Sequence, residues 1–154
     1  MKLRELTLTS MMTAVVFVAT FIPKIPIPLG YAHLGDAAIF VTVFLCGRKA
    51  GILSAVIGSA FADLLSGFPV WILPTIFIKA GMAEIFFRLQ NILGLIAASL
   101  FMTLGYSLFG ALLYDSLTLG FSSTPGLLME SAVNIFLAVI IISAVKKYSW
   151  RSYN

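Results

Sequence analysis

The chain has 154 residues, a length for one domain, of which 60% are hydrophobic and only 10% charged. A soluble domain carries about 25% charged residues, and a core of this size cannot hide so much apolar surface, so most of it must face lipid. The net charge of +4 comes from lysines and arginines scattered over several segment ends, with no basic stripe interleaved with aromatics, which argues against a nucleic-acid surface.

A membrane-crossing helix needs about 20 mostly apolar residues, and six segments meet that requirement. The first, residues 5–22, follows a charged start as a signal peptide would, but PKIPIP replaces the small-residue cleavage site, so it reads as a retained helix stopped by Pro23, Pro26 and Pro28. The second, 31–46, is the weakest, because its uninterrupted apolar run Ala37–Cys46 would span only about 15 Å as a helix. It crosses only if HLGD (residues 33–36) lies within the membrane zone. The third and fourth are 50–66 and 71–88, the latter with Pro74 in its first turn, where a missing N–H costs little. The fifth and sixth are 92–114 and 125–145. The expected fold is an all-α integral membrane protein, a single six-helix domain over residues 1–154.

Cytoplasmic loops retain lysine and arginine. With the N-terminus inside, the cytoplasmic ends hold Lys2, Arg4, Arg48, Lys49, Arg88, Lys146, Lys147 and Arg151, the opposite loops hold Lys24, and Lys79 falls within a span. An even number of spans then places both termini in the cytoplasm and the chain in the plasma membrane as a multi-pass protein. The lone Cys46 has no thiol partner for a disulfide or a metal and reads as apolar filler.

Ionisable groups within membrane spans are costly and therefore mark candidate functional sites. Here they are Asp36, Asp63, Lys79, Glu84 and Glu130, with His33 beside them. Asp63 and Lys79 fall at similar depths on adjacent helices, about 20 Å up from the cytoplasmic side, and so can meet. They either form a structural ion pair or line a cavity open to the outside. His33, Asp36 and Trp71 fall at that same outer end, and polar groups converging with an aromatic are the anatomy of a small-molecule pocket. Glu84 and Arg88 read as an intrahelical pair. Glu130 and Asn134 share one helix face and either face the cavity or bond between helices. Asp115 reads as a solvated helix end.

A lone histidine without cysteine partners or H-E-x-x-H spacing makes a poor metal site, and no serine elbow, Walker A loop or zinc helix motif occurs. No catalytic residue, cofactor or metal is expected. Small residues four apart in the first helix, Ser10 and Ala14 among them, let another helix approach closely. They serve either internal packing or the docking of a partner subunit.

With these features the chain resembles the S components of energy-coupling factor (ECF) transporters, the substrate-binding membrane subunits of vitamin importers. The segment YAHLGDAAIFVTVFLCGRKAGILSAVIGSAFADLLSGFPVWILPTIFIKAG (residues 31–81) is most similar to the riboflavin-type branch, which includes predicted pyridoxine and hydroxymethylpyrimidine carriers. The resemblance implies an outward pocket capped by PKIPIPLGYAH and GFPVWILP. It further implies a complex with a transmembrane coupling subunit and two ATPase subunits, where the ATP is hydrolysed. The family's Ala-x-x-x-Ala contact with the coupling subunit falls on Ser10 and Ala14, with serine departing from the pattern. The expected ligand contacts are His33, Asp36, Asp63, Trp71, Lys79 and Asn134, with Trp71 as a stacking surface or gate. Two other classes stay open: a membrane-embedded enzyme using His33 and Asp36 as acid and base, and an assembly subunit that binds no ligand.

Overall fold

The computed structural model describes residues 3–151, with side chains described for residues 3–147; Lys2 and the side chain of Arg151 lie outside that range. Helix α1 (Leu3–Phe21) leads into a two-stranded hairpin, β1 (Ile25–Ile27) and β2 (Gly30–Ala32), followed by α2 (Gly35–Leu65). A single 3-10 turn (Pro69–Trp71) opens α3 (Ile72–Leu89), and then come α4 (Ile92–Leu113), the short α5 (Leu117–Ser122) and α6 (Thr124–Arg151). Five helical stretches, Leu3–Phe21, Gly35–Leu65, Pro69–Leu89, Ile92–Leu113 and Leu117–Lys147, are long and apolar enough to cross a membrane.

The expected second and third segments therefore run on as one helical element, but that element is not a straight rod. Gly47 sits at φ 79°, ψ −174°, outside helical geometry, in a left-handed region that glycine enters without a Cβ penalty. The chain doubles back there: a Cβ on Gly51 would stand 3.0 Å from Val43 Cα, whereas eight residues of straight helix separate their ends by about 12 Å. The first half, residues 35–46, is thus about 18 Å long and the second, residues 48–65, about 27 Å, so the polar start of the first half lies beside the upper part of the second.

Residues 25–32, where helix-breaking prolines had predicted only a loop, form an antiparallel hairpin in which Ile25 pairs with Ala32, Pro26 with Tyr31 and Ile27 with Gly30. In two strands each has a free outer edge, so Pro26 needs no N–H there. The hairpin lies against the start of α6: Ser123 Oγ accepts from the Leu29 N–H at 2.9 Å, and Ile27 crowds Gly126.

Helix α1 packs on α2 at close range. A Cβ on Gly58 would fall 2.9 Å from Thr13 O and from Val16 Cγ1, so that glycine sets the helix spacing, and Thr13 Oγ1 meets Ser54 Oγ at 3.3 Å. The core is Val16, Ile39, Phe40, Val43, Ala55, Ile78, Met82, Phe86, Ala98 and Met102, with Ala138 and Ile142 from α6. Large side chains such as Leu73, Phe77, Leu104, Leu108, Leu112 and Phe136 are exposed, the pattern expected where lipid replaces water.

Basic residues gather at one end of the bundle. Glu84 Oε2 accepts from Arg48 Nε at 2.6 Å and Glu84 Oε1 from Arg88 Nε at 2.7 Å, so the expected intrahelical pair exists and is also tied across to α2. Lys146 stands over the Phe44 ring at 5.1 Å, and Arg4 and Lys49 share a groove beside Cys46.

Candidate functional site: a polar and aromatic cavity at the hairpin end

At the other end, a cavity offers about 60 Å³ to the centres of water molecules. The hairpin contributes Ile27, Leu29 and Tyr31; the end of α2 and the 3-10 turn contribute Asp63, Phe68 and Trp71; Thr75, Tyr106 and Glu130 come from α3, α4 and α6, and His33 precedes α2.

Asp63 organises one wall. Its Oδ1 accepts from the Tyr31 hydroxyl at 3.0 Å and its Oδ2 from Thr75 Oγ1 at 2.6 Å. Since Thr75 spends its one proton on Asp63, its oxygen is left to accept from Tyr106, 3.0 Å away. Burial, and then the nearby Asp63 charge, push the Tyr31 phenol above its ordinary value, so Tyr31 remains a neutral donor. Trp71 is 6% exposed, stands 5.7 Å from the Tyr106 ring, and its Nε1 has no hydrogen-bond partner among the described residues.

The opposite wall holds His33 and Glu130, with His33 Nδ1 3.0 Å from Glu130 Oε1. The same nitrogen lies 3.2 Å from the Gly35 N–H. One ring nitrogen either donates or accepts, so Nδ1 serves Glu130 when protonated and Gly35 when not; in the second case Glu130 Oε1 is bare. Burial alone would lower the His33 value, but the charge and hydrogen bond of Glu130 outweigh it, and the net shift is upward. A raised folded-state value means a stability contribution fully present below the unfolded value of about 6.5 and lost as pH rises through the folded one. Thermal unfolding in detergent should therefore show Tm falling as pH rises above about 6.5, with the fall reduced by about half or more in His33→Gln. An equal fall in both proteins would remove His33 from the effect.

Behind this wall lies a buried ion pair. Lys79 and Asp36 are 0% and 1% exposed, and Lys79 Nζ donates to Asp36 Oδ1. Of the two readings open for Asp63 and Lys79, an ion pair or a shared cavity lining, the ion pair between them is not formed, since Lys79 pairs with Asp36. Equal depth on adjacent helices fixes height but not direction; the fold-back at Gly47 brings Asp36 to the same height, and the oxygens of Asp63 are taken by Tyr31 and Thr75. Asn134 also lies behind the wall. Its Nδ2 donates to His33 O at 2.7 Å and to Glu130 O at 2.9 Å, and its Oδ1 accepts from the Ala37 N–H at 2.8 Å. It thus takes the place of the missing side-chain cap at the start of α2. Of the six residues singled out in the sequence, His33, Asp63 and Trp71 line the cavity, while Asp36, Lys79 and Asn134 do not. Tyr31, Phe68, Thr75, Tyr106 and Ser123 line it without having been singled out.

One nitrogen of His33 and one oxygen each of Asp36 and Glu130 lie within 4.8 Å of one another. The trio has the donors for a metal ion, but Asp36 already holds the Lys79 ammonium. Ser10 and Ala14 are exposed on α1, whereas Thr9 on the adjoining face is buried.

A solved structure of the S component of a bacterial ECF transporter shares the fold, with a TM-score of 0.77 at 22% identity, covering 96% of this chain and 98% of that one. No curated protein matches the chain by sequence. The family model of the ECF-type riboflavin transporter S component matches residues 1–147. The chain is therefore a membrane protein of the ECF-type riboflavin transporter S component family.

Proposed function

We propose that the chain is the substrate-binding subunit of an ECF-type importer and takes up a small water-soluble vitamin or precursor, with pyridoxine and hydroxymethylpyrimidine the favoured ligands. ATP would be hydrolysed by two ATPase subunits joined through a transmembrane coupling subunit. The observation that carries this reading is the cavity at the hairpin end, with hydroxyls, carboxylates and aromatic rings converging on a space suited to a single ring. That space supports a one-ring ligand over a three-ring flavin.

His33, Asp63 and Trp71 are assigned direct contacts. Asp36, Lys79 and Asn134 hold the wall from behind. The fold-back at Gly47 supports six membrane passes within one domain over residues 1–154, and the basic cluster opposite the cavity supports cytoplasmic termini in a multi-pass plasma-membrane protein. The reading has no turnover: Asp36 is salt-bonded behind the wall and is not placed to act with His33 on a ligand.

Mass spectrometry of small molecules released from the protein purified in mild detergent tests this, with a one-ring vitamin or precursor expected. A flavin, or no ligand after growth in rich medium, would sink it. The exposed Ser10 and Ala14 are assigned to the coupling-subunit contact. Ser10→Leu should leave ligand affinity intact and lower uptake by the full complex about tenfold or more, because a bulky side chain prevents close helix approach. Normal uptake would remove this face from docking.

A further inference from the structure

The chemistry of the cavity wall also specifies the charge of its occupant, an inference that rests on the cavity being the ligand site. Asp36 and Lys79 cancel behind the wall. On the wall are two carboxylates, Asp63 and Glu130, against His33 alone. A protonated His33 leaves one negative charge unbalanced and a neutral one leaves two. Lys24 does not line the cavity; it stands over the Phe21 and Tyr31 rings, 3.9 and 5.0 Å from their centroids. Uncompensated charge within a helix bundle in lipid is expensive, and a cation relieves it.

Two further observations point the same way. Four rings line the space, with Tyr31 and Phe68 5.6 Å apart and Trp71 and Tyr106 5.7 Å apart, and aromatic faces attract cations. Of the buried polar atoms on the wall, Trp71 Nε1 has no hydrogen-bond partner among the described residues, and Glu130 Oε1 has only His33 Nδ1, 3.0 Å away, when that nitrogen is protonated. One can donate to a ligand hydroxyl, and the other can face a positive ring.

We propose that the cavity binds a single-ring heteroaromatic monocation, its ring among Tyr31, Phe68, Trp71 and Tyr106 and its charge facing Asp63 and Glu130. A ring nitrogen that is protonated or quaternary meets the requirement equally.

A matched pair of probes tests it on the full chain in detergent. One is 3-(hydroxymethyl)-1-methylpyridinium, a permanent cation, and the other is 3-methylbenzyl alcohol, its neutral counterpart of the same shape. Calorimetry should show the cation binding about tenfold or more tightly. Glu130→Gln should reduce that preference, and Glu130→Asp, which keeps the charge, should retain it. Equal binding of the two probes overturns the charge proposal and leaves the cavity a ligand site. Binding of neither overturns both readings. Saturable binding of Zn²⁺ or Mn²⁺ that excludes the pyridinium assigns the site to a metal on His33, Asp36 and Glu130, and overturns the organic cation.

Discussion

Replacing Lys79 by methionine is expected to lower stability by about 3–5 kcal/mol, the cost of leaving a buried charge without its partner. Lys79 and Asp36 are almost completely withdrawn from solvent, and Asp36 Oδ2 has no hydrogen-bond partner among the described residues. Removing the ammonium therefore strands the carboxylate, with the Glu130 carboxylate and the His33 ring, whose charge is spent on Glu130, within 4.8 Å of it. The pair itself need not be stabilising, since desolvating two ions offsets much of their attraction. The test is accordingly a double variant. Lys79→Met combined with Asp36→Asn should recover most of the loss, because it removes both charges together. Unfolding by heat or SDS in detergent, compared for the single and double variants, reads the difference. A single variant as stable as the parent protein would show that Lys79 does not balance Asp36. The pair ties the start of α2 to the middle of α3, and Asn134 ties that same start to α6, so the loss should extend to the His33 side of the cavity.

The long apolar segments were legible because lipid exposure leaves an unbroken hydrophobic signal; the ends of α1, α3 and α4 and the start of α6 follow it closely, while α6 runs six residues past the expected 145 to Arg151. The reversal between Cys46 and Arg48 was legible as a break, but not as one glycine turning inside a continuous helical element, since that depends on Val43 and Gly51 packing together. The hairpin was hidden by its own prolines. Pro23, Pro26 and Pro28 correctly signal the end of a helix, but Ile25–Ile27 pairs with Gly30–Ala32 only because the chain turns within two residues and rests on Ser123.

In the site, the costly groups were visible as costly while their partners were not. Spacing along a helix gives depth, so Asp63 and Lys79 were brought to one level; which of two aspartates meets the lysine depends on the azimuth of α2 after it doubles back. Thr75, Tyr106 and Ser123 passed unnoticed because hydroxyls within membrane helices commonly bond their own backbone, as Thr20 does to Val16 O at 2.8 Å. Thr75 instead bridges Asp63 and Tyr106, and nothing local in the sequence distinguishes it from Thr20.

Asp63→Asn is expected to weaken ligand binding about 10- to 100-fold, or about 1.4–2.8 kcal/mol, the range for a hydrogen bond to a charged group. The change is nearly isosteric, so insertion and fold should survive. Its effect arises from proton direction. As a carboxylate, Asp63 accepts from both Tyr31 and Thr75, which obliges Tyr106 to donate to Thr75. An asparagine has one accepting oxygen and one donating nitrogen, so one of those hydroxyls must turn round. If it is Thr75, its proton passes toward Tyr106 and the Tyr106 proton is redirected toward the cavity; if it is Tyr31, the amide donates to the phenol oxygen and the Tyr31 proton is redirected instead. Either outcome presents the ligand with a reversed donor and removes a negative charge from the wall. Tyr31→Phe, which deletes one hydroxyl and leaves the charge, should cost less, about 3- to 10-fold. Calorimetry with the ligand identified by copurification distinguishes the two. Unchanged affinity in Asp63→Asn would make Asp63 a clamp for the hairpin and leave Glu130 as the carboxylate facing the ligand.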